Sequence, residues 1–264
     1  MFRGPRNRKQ PLNHDDWELI TANNDGYEVM GHINLQERKS PLVIFIHGWE
    51  SSSGRFLERM EIFREKNCHT LALELRGHGL AHNTMEWTAN KVILDIKVIL
   101  DTLDQSVISS VHFYGHSLGG FVTLGLQNER NQGWWKERIG TIILESPMTA
   151  YSPVIEQRVG LLYPLLPLLK RWLIQAFIRI HPEFYGSQWS SVDVPEWGIP
   201  SCPVLILQAE NDSQLGRTHY DALMNCIGEI DYETHLIPTL THSKNEVNSV
   251  RDELILNWID NRVN

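Results

Sequence analysis

The sequence predicts an α/β protein: a mostly parallel sheet with helices on both faces and a helical segment inserted late in the chain. Three observations point there. Short, continuously apolar runs alternate with segments of helical periodicity, and an apolar run without polar alternation is a strand buried on both faces. One junction, 115-GHSLG-119, sets a serine between glycines where such a run gives way to a helix. The rhythm fails once, over 147–200, and then resumes.

Bulk properties narrow the class. The 264 residues are 42% hydrophobic and 21% charged, enough for one sizeable domain with an insertion and unlike a disordered or fibrous chain. A formal charge of -8 opposes non-specific nucleic-acid binding, which needs a basic face. The basic opening, Arg3, Arg6, Arg8 and Lys9, reads as a loose solvated tail. Cys68, Cys202 and Cys226 are odd in number and form no CxxC pair, so neither a disulfide framework nor a zinc site is expected. With no apolar stretch after the basic opening there is no signal-peptide pattern, and a cytoplasmic location is the expectation. The most apolar region, 159–180, carries Pro164, Pro167, Lys170 and Arg171, which argues against a transmembrane segment. Oligomeric state leaves no mark in the sequence.

The elements follow in order. Residues 17–26 and 27–36 are two extended runs broken by Asp25-Gly26, a hairpin signal. A buried strand is expected at 41–48, a helix at 55–67 and a second buried strand at 69–79. Residues 88–105 form a strongly periodic helix with Thr88 as N-cap, and Lys91/Asp95 and Lys97/Asp101 are spaced for i,i+4 pairs. Then come strand 107–115, helix 118–130 and strand 140–146; beyond the break, strand 203–212, helix 216–229, strand 231–239 and helix 245–262. The interruption is too long for a structureless loop. It divides the chain into a main domain, 1–146 with 201–264, and an inserted, mainly helical cap, 147–200.

The Gly-x-Ser-x-Gly pattern is weak by itself, since a glycine-rich turn can hold an incidental serine. Its place between a buried strand and a helix gives it chemical meaning. Such a sharp turn strains the central residue, and side chains two positions away would meet the neighbouring strand and helix. Gly115 and Gly119 relieve that crowding and leave Ser117 with its hydroxyl exposed at a helix N-terminus.

A serine alcohol needs a base to take its proton and a carboxylate to hold that base in one tautomer. After the apolar strand beginning at Pro203 comes 209-AEND-212; after the next strand, 238-PTLTHSKN-245 places His242 just past a strand end. Open α/β sheets hold their sites at the carboxyl ends of strands, so Asp212 is the expected acid and His242 the base. Glu210 is a close rival for the acid and Glu145 a remote one, while Asn211-Asp212-Ser213 also suits an ordinary turn. His235 and His219 read as structural. The backbone N–H groups of Leu118 and Trp49 are the candidate donors to an oxyanion. Gly48 would let the chain approach the substrate, and His47 would shape that loop.

Together His47-Gly48-Trp49, Arg76-Gly77-His78-Gly79, Gly115-His116-Ser117-Leu118-Gly119-Gly120, Asp212 and His242 resemble the α/β-hydrolase superfamily, within it the serine esterase and monoacylglycerol-lipase-like branch. The resemblance runs from about Trp17 to the end of the sequence. It implies an eight-stranded sheet opening with the hairpin, a cap after the sixth strand, and no metal or organic cofactor. Many relatives have Gly-x-x-Asp in the acid loop where this chain has Ala209, a departure at the acid. The serine at the elbow disfavours relatives with an aspartate nucleophile. The Trp after His-Gly also occurs in cofactor-free haloperoxidase-like members, which makes perhydrolysis a side activity to consider.

The cap segment holds Leu161, Leu162, Leu165, Leu166, Leu168, Leu169, Trp172, Leu173, Ile174 and Phe177. Burial against the rest of the protein accounts for such residues. They equally suit an acyl pocket and a transient lipid-interface contact, with Lys170 and Arg171 facing water. The expected partner is thus a small-molecule ester with an apolar acyl group, cleaved through an acyl-enzyme. Lactonase, thioesterase, peptidase-like and acyltransferase chemistry stay open, as does a non-catalytic binder of a hydrophobic ligand.

Overall fold

The computed structural model describes residues 3–159, 164–180, 189–243 and 247–263. β1 (Glu18–Asn24) and β2 (Tyr27–Asn34) pair antiparallel around Asp25 and Gly26, both at positive φ (49° and 83°), as a tight hairpin requires. The later strands are β3 (Ser40–Ile46), β4 (His69–Glu74), β5 (Ile108–His116), β6 (Ile139–Glu145), β7 (Val204–Ala209) and β8 (Tyr232–Ile237). The order across the eight-stranded sheet is β1-β2-β4-β3-β5-β6-β7-β8. β2 meets β4 antiparallel, and every later pairing is parallel.

That order reverses direction at β3: the chain moves outward to β4, then crosses back to place β5 on the other side. The loops leaving β3 and β5 therefore diverge at their carboxyl ends and open a crevice, the place where such sheets bind ligands.

β3, β4 and β7 are buried along their whole length, which explains why they read as unbroken apolar runs. Their side chains still alternate. Leu42, Ile44 and Ile46 join one core beneath α2 (Ala89–Asp101) and α3 (Leu118–Gln127), while Val43 and Phe45 join the other beneath α1 (Leu57–Glu65) and α7 (Ser249–Arg262). Thr88 caps α2 as expected, its side chain accepting from the Lys91 N–H.

Several details depart from the sequence reading. The strand expected to reach residue 79 ends at Glu74, because Gly77 and Gly79 take positive φ and turn the chain. The last helix begins at Ser249, capped by Asn248, with residues 245 and 246 outside the described ones. Asp95 does not pair with Lys91: it is buried, its carboxylate takes a two-pronged contact from Arg76 at 2.8 and 2.6 Å, and Lys91 turns to Glu86. A carboxylate facing the interior finds a guanidinium there in preference to a solvated ammonium.

The basic opening is not a loose tail. Gly4 and Pro5 are buried; the Gly4 N–H donates to Thr84 O (3.0 Å), Arg8 to Asn83 Oδ1 (2.8 Å), and the Leu12 N–H to Ser53 Oγ (2.8 Å). Residues 3–12 are thus laid against the loops around Ser53 and Thr84 by long-range polar contacts, which charge composition does not register.

Between β6 and β7 the described residues form α4 (Tyr151–Val159), α5 (Leu166–Ile180) and a short 3-10 turn at Trp189–Val192. Ile155, Leu166, Leu169 and Leu173 make a small core of their own. Asp193 accepts from the N–H groups of Tyr151 and Ser152 (2.7 and 3.0 Å), so the end of the segment caps its beginning. Trp197 stacks on Phe121 of α3, centroids 4.4 Å apart, and fixes the return to the sheet. Leu165, Leu168 and Trp172 are exposed, but Lys170 bonds Ser152 and Glu156 (3.2 and 3.1 Å), while Arg171 faces water. Leu161 and Leu162, and the side chains of Ile174 and Phe177, lie outside the described residues. No helix among them is long and apolar enough to cross a membrane.

Candidate active site

The site begins with one strained residue. Ser117, between β5 and α3, has φ 54° and ψ −119°, a region L-residues rarely occupy. Its N–H still extends the sheet by donating to Glu145 O (3.1 Å), and its C=O accepts from Met148 N (2.9 Å), so surrounding structure holds the strain. The flanking glycines are sterically obligatory: a Cβ on Gly119 would lie 1.8 Å from Ile46 O, and one on Gly115 2.5 Å from Thr123 Oγ1. The outcome is a hydroxyl lifted off the sheet at the start of α3.

His242 follows β8. Its Nε2 lies 2.8 Å from Ser117 Oγ and its Nδ1 2.7 Å from Asp212 Oδ2. Asp212, beyond the end of β7, has every remaining acceptor position directed at a donor. Oδ1 accepts from the N–H groups of Gln214 and Leu215 (both 2.9 Å), and Oδ2 also faces Gln208 Nε2 at 3.3 Å. Burial alone would raise this carboxyl, but the bond to His242, its charge and the two backbone donors prevail and bring its pKa down to about 2. An ionised Asp212 accepting from Nδ1–H leaves Nε2 as the acceptor towards Ser117.

The rival carboxylates are elsewhere. Glu210 points to solvent. Glu145 is buried at the end of β6, where Arg59 grips both its oxygens (2.8 and 2.7 Å) and Tyr114 OH donates at 2.5 Å.

The loop after β3 approaches the same point. A Cβ on Gly48 would stand 2.9 Å from Ser117 Cβ, which sets how near this backbone comes. His47 is fully buried; its Nε2 accepts from Leu75 N–H (3.2 Å), so Nδ1–H donates to Gly48 O (2.8 Å) and fixes the turn. Burial, aided by the neighbouring His78, pushes its pKa well below the usual histidine range and keeps it neutral. The N–H groups of Trp49 and Leu118 make no hydrogen bond among the described residues, and both residues line the cleft with Ser117. The Trp49 ring is locked edge-on against His78 and Trp87, centroids 5.1 and 5.0 Å away.

Two residues escaped the sequence reading. His116 Nε2–H donates to His242 O (2.8 Å), and Arg55 donates to His242 O and Ser243 O (3.1 and 2.9 Å). Both hold the loop that presents the imidazole. His116 sits at the variable position of the serine motif, and Arg55 opens an unremarkable helix, so neither carried a signal. His219 accepts from Thr149 N–H at 3.1 Å and lies within electrostatic reach of Asp212 and His242, while His235 contacts Glu233 at 2.6 Å; neither is hydrogen-bonded to Ser117, Asp212 or His242.

The cleft above Ser117 has a volume of about 1430 Å³. Trp49, Trp87, Leu118, Met148, Tyr151 and Leu215 give it an apolar wall. Among the described residues, His14, Asp16 and Glu61 gather three potential metal-ligand atoms within 4.8 Å, but Arg64 already bonds both carboxylates and none of the three lines the cleft.

The sequence pattern of the family described as "Serine aminopeptidase, S33" matches residues 37–195. An esterase from Pyrococcus furiosus, Pf2001, superposes with a TM-score of 0.68 at 13% identity, over 97% of this chain and 99% of that one. Alpha/beta hydrolase domain-containing protein 10 from mouse gives 0.64 at 19% identity, over 92% and 97%. A dienelactone hydrolase from Anabaena variabilis gives 0.59 at 14%, over 97% and 100%. At such identities the likeness establishes the fold. No curated protein sequence matches the chain.

Proposed function

The chain belongs to the serine aminopeptidase S33 family, within the α/β-hydrolase superfamily, and from that premise we propose that it is a serine hydrolase of carboxylic esters with an apolar acyl group. The observation that carries this reading is the unbroken hydrogen-bonded chain Ser117–His242–Asp212, with links of 2.8 and 2.7 Å, whose Ser117 and His242 line a cleft that also has an apolar wall.

In this reading Ser117 Oγ attacks the ester carbonyl as His242 Nε2 takes its proton. Asp212 holds the ring and stabilises the imidazolium. The N–H groups of Leu118 and Trp49 take the oxyanion, beside the positive end of α3. His242 then gives its proton to the departing alkoxide, leaving an acyl-enzyme on Ser117. Water, deprotonated by the same imidazole, attacks the acyl carbon and releases the acid. The net reaction is ester plus water to acid plus alcohol, with no cofactor in any step. The segment 147–200 acts as a cap, contributing Met148 and Tyr151 to the acyl wall; Leu165, Leu168 and Trp172 on its outer face suit a transient lipid contact.

The charge of the cleft favours ester over aminopeptidase chemistry. An aminopeptidase must hold a peptide's α-ammonium with carboxylates, yet Glu50 is the one carboxylate among the described lining residues, against Arg3, Arg6, Lys9 and Arg55.

Incubation with a 4-nitrophenyl ester and with a fluorophosphonate tests the reading. The parent should turn over the first and be labelled by the second, and Ser117→Ala should lose labelling and at least about 10⁴-fold in kcat. Turnover or labelling that survives the substitution defeats the assignment; neither in the parent leaves a ligand-binding protein.

A further inference from the structure

The cleft is lined by two unlike sets of residues. Besides the apolar ones, the segment 3–11 lines it and carries the exposed Arg3, Arg6 and Lys9. This is unexpected in a chain with 32 acidic and 24 basic residues, since Glu50 alone opposes them among the described lining residues.

The segment is fastened by other groups. Gly4 N–H bonds Thr84 O, Arg8 bonds Asn83, and Ser52 Oγ donates to Gln10 O. A Cβ on Gly54 would come within 2.9 Å of Gln10 O, so backbone lies directly on backbone there. Arg3, Arg6 and Lys9 themselves make no hydrogen bond or ion pair with the protein among the described residues, and all three are exposed. Unpaired cations scattered over a surface need no explanation. Three on one anchored segment, at the mouth of a partly apolar cleft in an acidic protein, make a local positive potential that low-dielectric walls focus inward.

We propose that residues 3–11 select esters bearing an anionic group, a carboxylate or a phosphate, remote from the scissile carbonyl. Arg3 and Arg6 offer planar forks matched to either oxyanion, and Lys9 adds a point charge. The apolar wall takes the hydrocarbon between the two ends. The inference rests on the ester-hydrolase reading and adds the charge of the substrate to it.

Matched pairs test it: 4-nitrophenyl octanoate against 4-nitrophenyl hydrogen suberate, and 1-octanoylglycerol against its 3-phosphate. The quantity read is the anionic-to-neutral ratio of kcat/KM, in the native chain and in R3Q/R6Q/K9Q, at low and high salt. The ratio should fall by about tenfold in the variant at low ionic strength, the combined effect of three exposed charges. High salt should bring the native ratio down towards the variant's, because exposed charges are screened. Whichever pair shows the larger fall separates carboxylate from phosphate. A ratio unchanged by the substitutions overturns the proposal, as does a parallel fall for both members of a pair, which would make the segment a structural brace. Loss of binding to phosphatidylserine vesicles with an unchanged ratio would assign the cations to a membrane contact and likewise overturn it. If the native chain hydrolyses neither ester, the function reading fails by itself. Calorimetric titration of hydrogen suberate methyl ester into native and variant protein then decides the anion question: tighter native binding supports selection, and equal binding defeats it.

Discussion

Glu145 and Asp212 stand at the carboxyl ends of neighbouring strands, β6 and β7, and both are shut away from solvent. Both also have a pKa below the ordinary carboxylate range, although burial pushes each the other way. What separates them is the partner. Glu145 lies in the fork of Arg59, with Arg251 at 3.9 Å, and those charges hold it ionised. Asp212 lies against His242, whose far nitrogen touches a hydroxyl. A guanidinium cannot release its proton, so the Glu145 pair can only brace the sheet. An imidazole can gain and lose one, so the Asp212 pair can take part in proton transfer. Depth and a depressed pKa are therefore common to both carboxylates, and the chemistry of the neighbour is what distinguishes them.

Removing the proposed triad acid tests the distinction hardest. Asp212→Asn keeps an oxygen for the Gln214 and Leu215 N–H groups but no longer enforces an Nδ1–H tautomer on His242. The expected loss in kcat for a nitrophenyl ester is about 10⁴-fold, with the unfolding midpoint near that of the parent. Retention of more than a tenth of the parent rate would remove Asp212 from the mechanism.

At Glu145 the expected damage is to stability. Arg59→Ala strips a fully buried carboxylate of its main counter-charge, and urea unfolding should register a loss of about 3–5 kcal/mol. Per site titrated by fluorophosphonate, the folded fraction should keep its rate within about tenfold. Replacing both partners together, Arg59→Met with Glu145→Leu, should cost less than the single change, since no charge is then stranded. A larger cost for the pair than for Arg59→Ala would mean that Glu145 is not acting through Arg59.

How far the sequence reached depends on the range of the forces involved. The strands were legible because complete burial makes β3 and β7 unbroken apolar runs. Ser117 was legible because its turn is governed by sterics within a few residues, and Asp212 and His242 because strand ends and chain order narrow the choice. Long-range polar contacts had no such signature. Arg55 reaches His242 across 187 positions and His116 does so across 126, and neither bond leaves a local pattern. The 3–12 segment was misread for a related reason: hydrogen bonds to residues 52–53 and 79–84 hold it, and composition is blind to those. Asp95 was misread because spacing offered Lys91 while the fold offered Arg76. Within 147–200 the apolar residues were plain, but their division between an internal core and an exposed face needed coordinates.

The smallest effect is expected at Glu210, and it tests whether two carboxylates two residues apart can differ completely. The Glu210 N–H still donates to Ile237 O at 3.2 Å, extending the β7–β8 pairing, and its side chain leaves into solvent. Past that point the chain folds back so that two N–H groups converge on Asp212, which turns the second carboxylate inward under His242. Glu210→Gln should therefore leave kcat/KM within about twofold and stability within about 0.5 kcal/mol, as for an exposed surface change. A hundredfold loss on this change, with Asp212→Asn nearly silent, would reverse the assignment. It would also mean that the acid loop rearranges to bring Glu210 under the imidazole before the ester is cleaved.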